Sequence, residues 1–170
     1  MKSIEELDQM LVLRTDADPH KLSRRLGLCH WIGEHFATTE VDDIYEAIGS
    51  SDMVDYLPQS ESIAVRGRRI KNSLQDVDLQ EVSEEIGSIL LEKHDYEVDL
   101  ENPDNEVLVV FTEEKCLVSI IRARVDRSEF RERSPQERES VHPSTMKPSF
   151  ARALVNLART PRFGTFLDPF

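Results

Sequence analysis

Ser62-Ile63-Ala64-Val65-Arg66-Gly67-Arg68-Arg69-Ile70 is the stretch on which the fold turns. Its residues alternate. Ile63, Val65 and Gly67 fall on one face of an extended chain, and Ala64, Arg66 and Arg68 fall on the other. A strand is expected here, and a helix should follow. Asp78 is a suitable N-cap, with Glu81 three residues later as in a capping box. From there Leu79, Val82, Ile86, Ile89 and Leu90 recur at helical spacing to about Lys93. Residues 107–111 read as a buried strand, Thr112-Glu113-Glu114-Lys115 as a hairpin turn, and residues 116–124 as the returning strand. Strand, helix and hairpin in this order predict an α+β architecture with helices on one side of a sheet.

Toward the N-terminus the pattern reads strand, helix, strand, helix. Residues 10–13 form a short apolar run. Asp18-Pro19 opens a helix through Leu22 and Leu26, with Gly27 at its end. Residues 28–38 should be extended, with Trp31, Ile32 and Phe36 as the large apolar residues. Residues 42–48 carry Ile44, Ala47 and Ile48 at helical spacing, with Gly49 as the expected stop. Toward the C-terminus, residues 126–148 are rich in Arg, Glu, Ser and Pro and read as a linker or extended arm. Pro148 then sits near the first turn of a helix whose apolar positions are Phe150, Ala153, Leu154, Leu157 and Ala158. The last residues, Thr165-Phe166-Leu167-Asp168-Pro169-Phe170, read as a strand.

At 170 residues the chain suits one ordinary domain or two small ones. Hydrophobic content is 39%, and no apolar run approaches the roughly 20 residues of a membrane-spanning helix. The charged start, Met1-Lys2-Ser3-Ile4-Glu5-Glu6-Leu7, is unlike a secretory signal. Two cysteines without regular spacing, Cys29 and Cys116, fit a reducing cytoplasm better than a disulfide framework. The net charge of −12 argues against nucleic acid as a partner, but its distribution argues the other way. Residues 122–170 hold ten Lys and Arg against six Asp and Glu, while residues 1–121 hold eleven against twenty-seven. An acidic protein can still present a local basic surface. With fifteen Arg and only six Lys, the surface suits a salt-loving host or an ordinary acidic cytoplasmic protein equally.

Three motifs in fixed order carry a family resemblance. The first is Ile63-Ala64-Val65-Arg66-Gly67-Arg68-Arg69. The second is Val98-Asp99-Leu100-Glu101-Asn102-Pro103-Asp104-Asn105-Glu106-Val107. The third is Val125-Asp126-Arg127-Ser128-Glu129-Phe130-Arg131, followed by His142-Pro143-Ser144, Ala151-Arg152-Ala153-Leu154-Val155-Asn156-Leu157-Ala158-Arg159 and Leu167-Asp168-Pro169-Phe170. Together they resemble the archaeal tRNA guanine-10 N2-methyltransferases, which are THUMP-domain enzymes. The resemblance implies a partial ferredoxin-like domain over residues 1–60 and a THUMP RNA-binding domain over 61–125. It further implies a linker over 126–147 and the first helix and strand of a Rossmann-like methyltransferase domain over 148–170. It also implies docking of the tRNA acceptor end, and S-adenosylmethionine as cofactor of the intact parent. Two departures accompany it. The first βα unit of the N-terminal domain is expected to be missing, and no glycine-rich cofactor loop or Asp-Pro-Pro-Tyr-type catalytic motif follows Phe170. The chain is accordingly expected to be a trimmed chain, a partial gene or a split product, inactive alone and without bound cofactor. Rival readings are a stand-alone RNA-binding module and another THUMP enzyme, such as a tRNA thiolation enzyme.

The candidate RNA contacts are Arg66, Arg68, Arg69 and Lys71 on the strand and its exit, with Arg122, Arg124 and Arg127 extending them and Arg131 and Arg133 beyond. The plain alternatives are a sheet edge blunted by charge and a solvated linker balanced by Glu129, Glu132 and Glu137. By the resemblance, His142, Pro143, Ser144 and Asp168 belong near the methyl donor. Cys29, His30 and His35 share one extended stretch, where His30 points away from the other two. No metal site is expected there, because zinc needs about four convergent ligands.

Overall fold

The computed structural model describes residues 2–134, 137, 145–159, 163–165 and 167. Two compact units emerge. One comprises Met1–Asp16 with Gly33–Ile121, and the other Ala17–Ile32 with Arg122–Phe170. Residues 33–60 thus group with 61–121 in one unit, across the 60/61 boundary that the family resemblance implies.

The first unit is built on a four-stranded sheet. Its strands are β3 (Trp31–Thr39), β4 (Ile63–Arg69), β5 (Asn105–Thr112) and β6 (Lys115–Arg124), in the order β3-β6-β5-β4. β4 is an edge strand and runs parallel to β5, pairing Ile63 with Asn105 through Arg69 with Phe111. β5 and β6 form an antiparallel hairpin from Val107–Ile120 to Thr112–Lys115, with Glu113 at φ 55° in the turn. Two helices supply the apolar layer: α2 (Val41–Ser50) and α3 (Leu79–Lys93). Ile44 and Ile48 from α2, and Ile86 and Leu90 from α3, are fully buried with Val107, Val109 and Phe111 of β5 and Val118 and Ile120 of β6. Met53 and Leu57, in and just after a short 3-10 turn at Met53–Tyr56, complete that layer. The alternate residues Leu108, Val110, Leu117 and Ser119 are buried too, so both faces of the two central strands are covered.

Most expected elements stand where periodicity placed them. Asp78 Oδ1 accepts from the amides of Gln80 and Glu81 at the start of α3, and Asp18 Oδ1 does the same for His20 and Lys21 at α1 (Pro19–Arg25). Three features differ. Residues 2–7 form a strand, β1 (Lys2–Leu7), paired antiparallel with β2 (Met10–Arg14). Charge pairing rather than apolar alternation marks this hairpin. Glu5 meets Lys115, the Asp8 amide donates to Glu113, and the Asp8 carbonyl accepts from Thr112 Oγ1. Gly49 lies inside α2 instead of ending it. The expected linker contains a short helix, α4 (Ser128–Glu132), opened by Asp126, whose Oδ1 accepts from both the amide and hydroxyl of Ser128.

In the second unit α5 (Pro148–Leu157) matches the expected helix. Arg152 and Asn156, one turn apart, donate to the carbonyls of Arg24 (2.9 Å) and Arg25 (2.8 Å). They satisfy carbonyls that the end of α1 leaves without helical partners. The apolar stripe Phe150, Leu154 and Leu157 stays exposed, Leu157 at 76%. Of the expected strand at 165–170, residues 166 and 168–170 lie outside those described. No helix among the described residues is long and apolar enough to cross a membrane.

Candidate nucleic-acid interface

Strand alternation divides the basic cluster of β4. Arg66 and Arg68 are exposed and share a face with Ala64. Arg69 belongs to the opposite face. Its guanidinium lies 5.2 Å from the Phe111 ring centroid and donates to the carbonyls of Ser73, Leu74 and Val77. It therefore ties down the loop between β4 and α3. Lys71, at φ 50°, pairs with Asp8 at 2.7 Å. Arg66 and Arg68 share one exposed face of β4, whereas Arg69 lies on the other face and Lys71 beyond the strand's end.

Arg66 is oriented by the chain beside it. Its Nη2 donates to the Leu100 carbonyl at 2.7 Å, and its Nε lies 3.7 Å from Glu106. Leu100 belongs to the Val-Asp-Leu-Glu-Asn-Pro-Asp segment, whose acidic residues have structural work. Asp99 Oδ1 accepts from the amides of Glu101 (2.8 Å) and Asn102 (3.0 Å), which folds the segment into a tight turn. Asp104 Oδ2 accepts from the amide and hydroxyl of Ser62, both at 2.9 Å. The Ile63 amide donates to Glu97, and its carbonyl accepts from Asp99. The segment is thus laced to the first residues of β4, against its free edge.

These hydrogen bonds hold the Asp99 and Asp104 carboxyls below the usual value of 3.8. A carboxyl with a depressed folded-state value contributes stability that is complete above the unfolded value and lost as pH falls through the folded one. Protection of the Glu101, Asn102 and Ser62 amides against hydrogen exchange should therefore be pH-independent near neutrality, after correction for intrinsic exchange, and should fall below about pH 3.8. Unchanged protection at pH 2 would remove the carboxylates from this account.

Between β4, α3 and the same segment lies an apolar groove of about 670 Å³, lined by Val65, Leu79, Leu91, Val98 and Leu100 and floored by Gly67. Val98 is 51% and Leu100 66% exposed. The motif that resembles a family hallmark therefore lends two apolar residues to this groove, while its Leu100 carbonyl accepts from Arg66. Sequence reading missed this groove, because its walls come from three separate stretches.

The other basic candidates, Arg122, Arg124, Arg127, Arg131 and Arg133, belong to the second unit. Arg124 and Arg127 are exposed and Arg122 half-buried. Arg127 Nη1 lies 2.8 Å from His30 Nε2. Arg133 pairs with Glu129 at 3.0 Å, one helical turn away. Cys29 Sγ donates to the Trp31 carbonyl, and burial raises its thiol pKa, which disfavours the thiolate a metal needs. His35 contacts Thr38 Oγ1 at 2.7 Å. No cluster of three or more His, Cys, Asp or Glu among the described residues is placed to hold a metal ion. His142, Pro143, Ser144 and Asp168 lie outside the described residues.

Residues 38–121 match the THUMP domain family. A tRNA (guanine(10)-N2)-dimethyltransferase of Methanothermobacter thermautotrophicus is 31% identical over 149 residues, covering 88% of this chain and 43% of that protein. A protein of the same description from Methanocaldococcus jannaschii is 36% identical over 121 residues, covering 69% of this chain and 34% of the relative. The chain spans less than half the length of these two relatives. Among solved structures, TrmN from Thermus thermophilus matches with a TM-score of 0.55 at 21% identity, over 88% of this chain and 43% of that one. At that identity the match speaks to the fold alone.

Proposed function

Because the chain is a THUMP-domain protein related to tRNA methyltransferases, we propose that it is the tRNA-binding portion of an S-adenosylmethionine-dependent tRNA guanine N2-methyltransferase of the archaeal, cytoplasmic type. The observation that carries this is the exposed Arg66–Arg68 pair on the edge strand of the matched region, with Arg66 oriented by the Leu100 carbonyl. Alternate residues of a strand stand about 7 Å apart along the backbone on one face, a spacing that lets two arginine forks reach backbone phosphate oxygens of one RNA strand. Phosphate contacts of this kind supply register and affinity and carry no base specificity. In this reading the acceptor region of tRNA is the ligand, and the methyl-transfer chemistry belongs to a methyltransferase domain beyond these elements. That domain's cofactor would be S-adenosylmethionine. The exposed stripe Phe150, Leu154 and Leu157 is the surface that a methyltransferase sheet would cover.

Fluorescence anisotropy with an acceptor-stem minihelix, a full tRNA and an unrelated RNA duplex of equal length tests the proposal. The tRNA and minihelix should bind more tightly than the duplex. About two units of the slope of log affinity against log salt should come from the Arg66 and Arg68 contacts. Equal affinity for all three RNAs would reduce the chain to a general polyanion binder and overturn the proposal.

A further inference from the structure

The second unit contains a small cavity of about 150 Å³ lined by Arg24, Arg124 and Arg152 together with Phe130. These residues come from the last turn of α1, the end of β6, α5 and α4. Nothing in the strand-borne arginine cluster of the first unit predicts this convergence. The cavity is smaller than the roughly 300–1,000 Å³ of a drug-sized ligand site, so it suits one compact polar group rather than a whole nucleotide.

Its basic wall is preorganised. Arg152 donates Nη1 to the Arg24 carbonyl, and its guanidinium lies 5.7 Å from the Phe130 ring centroid. Stacking and a backbone hydrogen bond restrict its rotamers while leaving most of its five donors available. Two carboxylates, Asp126 and Glu129, also line the cavity. Both have partners in or beside α4: Asp126 accepts twice from Ser128, and Glu129 pairs with Arg133. Three guanidiniums against two carboxylates leave the lining with a formal excess of one positive charge, and Glu129 is further offset by Arg133. Arginine forks of this kind match the geometry of phosphate oxygens.

We propose that this cavity seats a single phosphate group, and that a backbone phosphodiester of bound RNA supplies it. The second clause rests on the RNA-binding reading above; the first does not. If both hold, the second unit adds a phosphate contact of its own to those of Arg66 and Arg68.

Two arms test the proposal on the whole chain. In the first, arginine Nε–Hε resonances are followed by NMR while inorganic phosphate, and then dimethyl phosphate, is added. Saturable shifts are expected at Arg24, Arg124 and Arg152, with none at Arg66. They should vanish in the Arg24→Ala/Arg124→Ala variant, which keeps the Arg24 carbonyl that Arg152 uses. No shifts, or equal shifts at every exposed arginine, would overturn the site. In the second arm the same variant is titrated with tRNA across a salt series. Its log–log slope should flatten by about one unit, while Arg24→Lys/Arg124→Lys stays near the parent slope. Phosphate-induced shifts with an unchanged tRNA slope would overturn the nucleic-acid source and leave a free-phosphate site. Failure of the parent chain to bind tRNA would sink the RNA reading, and the first arm alone would then decide the cavity.

Discussion

Replacing Arg66 and Arg68 together by Ala should weaken tRNA binding about 30-fold at roughly 0.15 M salt, and flatten the log–log salt slope by about two units. Each phosphate contact contributes a salt dependence of about 0.9, which amounts to about fivefold in affinity at that ionic strength relative to 1 M. Stability should change little, by about 1 kcal/mol or less. Both side chains are exposed, and the Arg66–Glu106 pair at 3.7 Å is partly screened by solvent. Arg69→Met should do the reverse. It removes the donor to three loop carbonyls, at about 2 kcal/mol or more of stability. Its salt slope should stay at the parent value. Equilibrium urea unfolding and anisotropy on the same two variants check both halves. A slope lost in Arg69→Met and retained in the double variant would exchange the roles assigned to the two faces of β4.

The glycines give the second large effect, with opposite signs at two positions. A Cβ on Gly67 would come 2.6 Å from Leu79 Cγ and 2.8 Å from Ser83 Oγ. α3 packs this closely on β4 only because residue 67 has no side chain. Gly67→Val should force the helix outward and destabilise the chain by about 3 kcal/mol, the upper end of overpacking costs. A Cβ on Gly49 would meet nothing within 4 Å, and residue 49 lies in α2. Gly49→Ala should stabilise by about 0.5–1 kcal/mol, the difference in helix propensity. Matching midpoints for Gly67→Val and the parent in urea would refute the close approach of helix and strand.

Much of this arrangement was legible in the sequence, and the limits have physical causes. The β4–α3–hairpin core announced itself through period-two alternation at residues 62–70, a capped helical repeat from Asp78 and an apolar strand at 107–111. The same alternation already separates Arg69 from Arg66 and Arg68, because residues 66 and 68 share a parity that 69 does not. Listing the four basic residues as one cluster overlooked that parity. β1 was missed because Ser3-Ile4-Glu5-Glu6 has no apolar face. Its pairing is supported by Lys115 and Thr112, more than a hundred residues away. Gly49 read as a stop because glycine often ends helices, but here the helix continues through Ser50. The family-like motif at 98–107 does not reveal by spacing that Asp99 and Asp104 accept backbone amides at a turn and a strand start. The Arg24–Arg124–Arg152 cavity could not be seen at all, since its three arginines are separated by up to 128 positions.

The most direct test of the central claim is a hydrogen-exchange footprint of the chain with and without a saturating acceptor-stem minihelix. The account predicts added protection in the first unit at residues 64–68 of β4 and in the segment 97–105 beside it, with α2 and the buried face of α3 unchanged. Protection confined to α2 and α3, with none at 64–68, would contradict it.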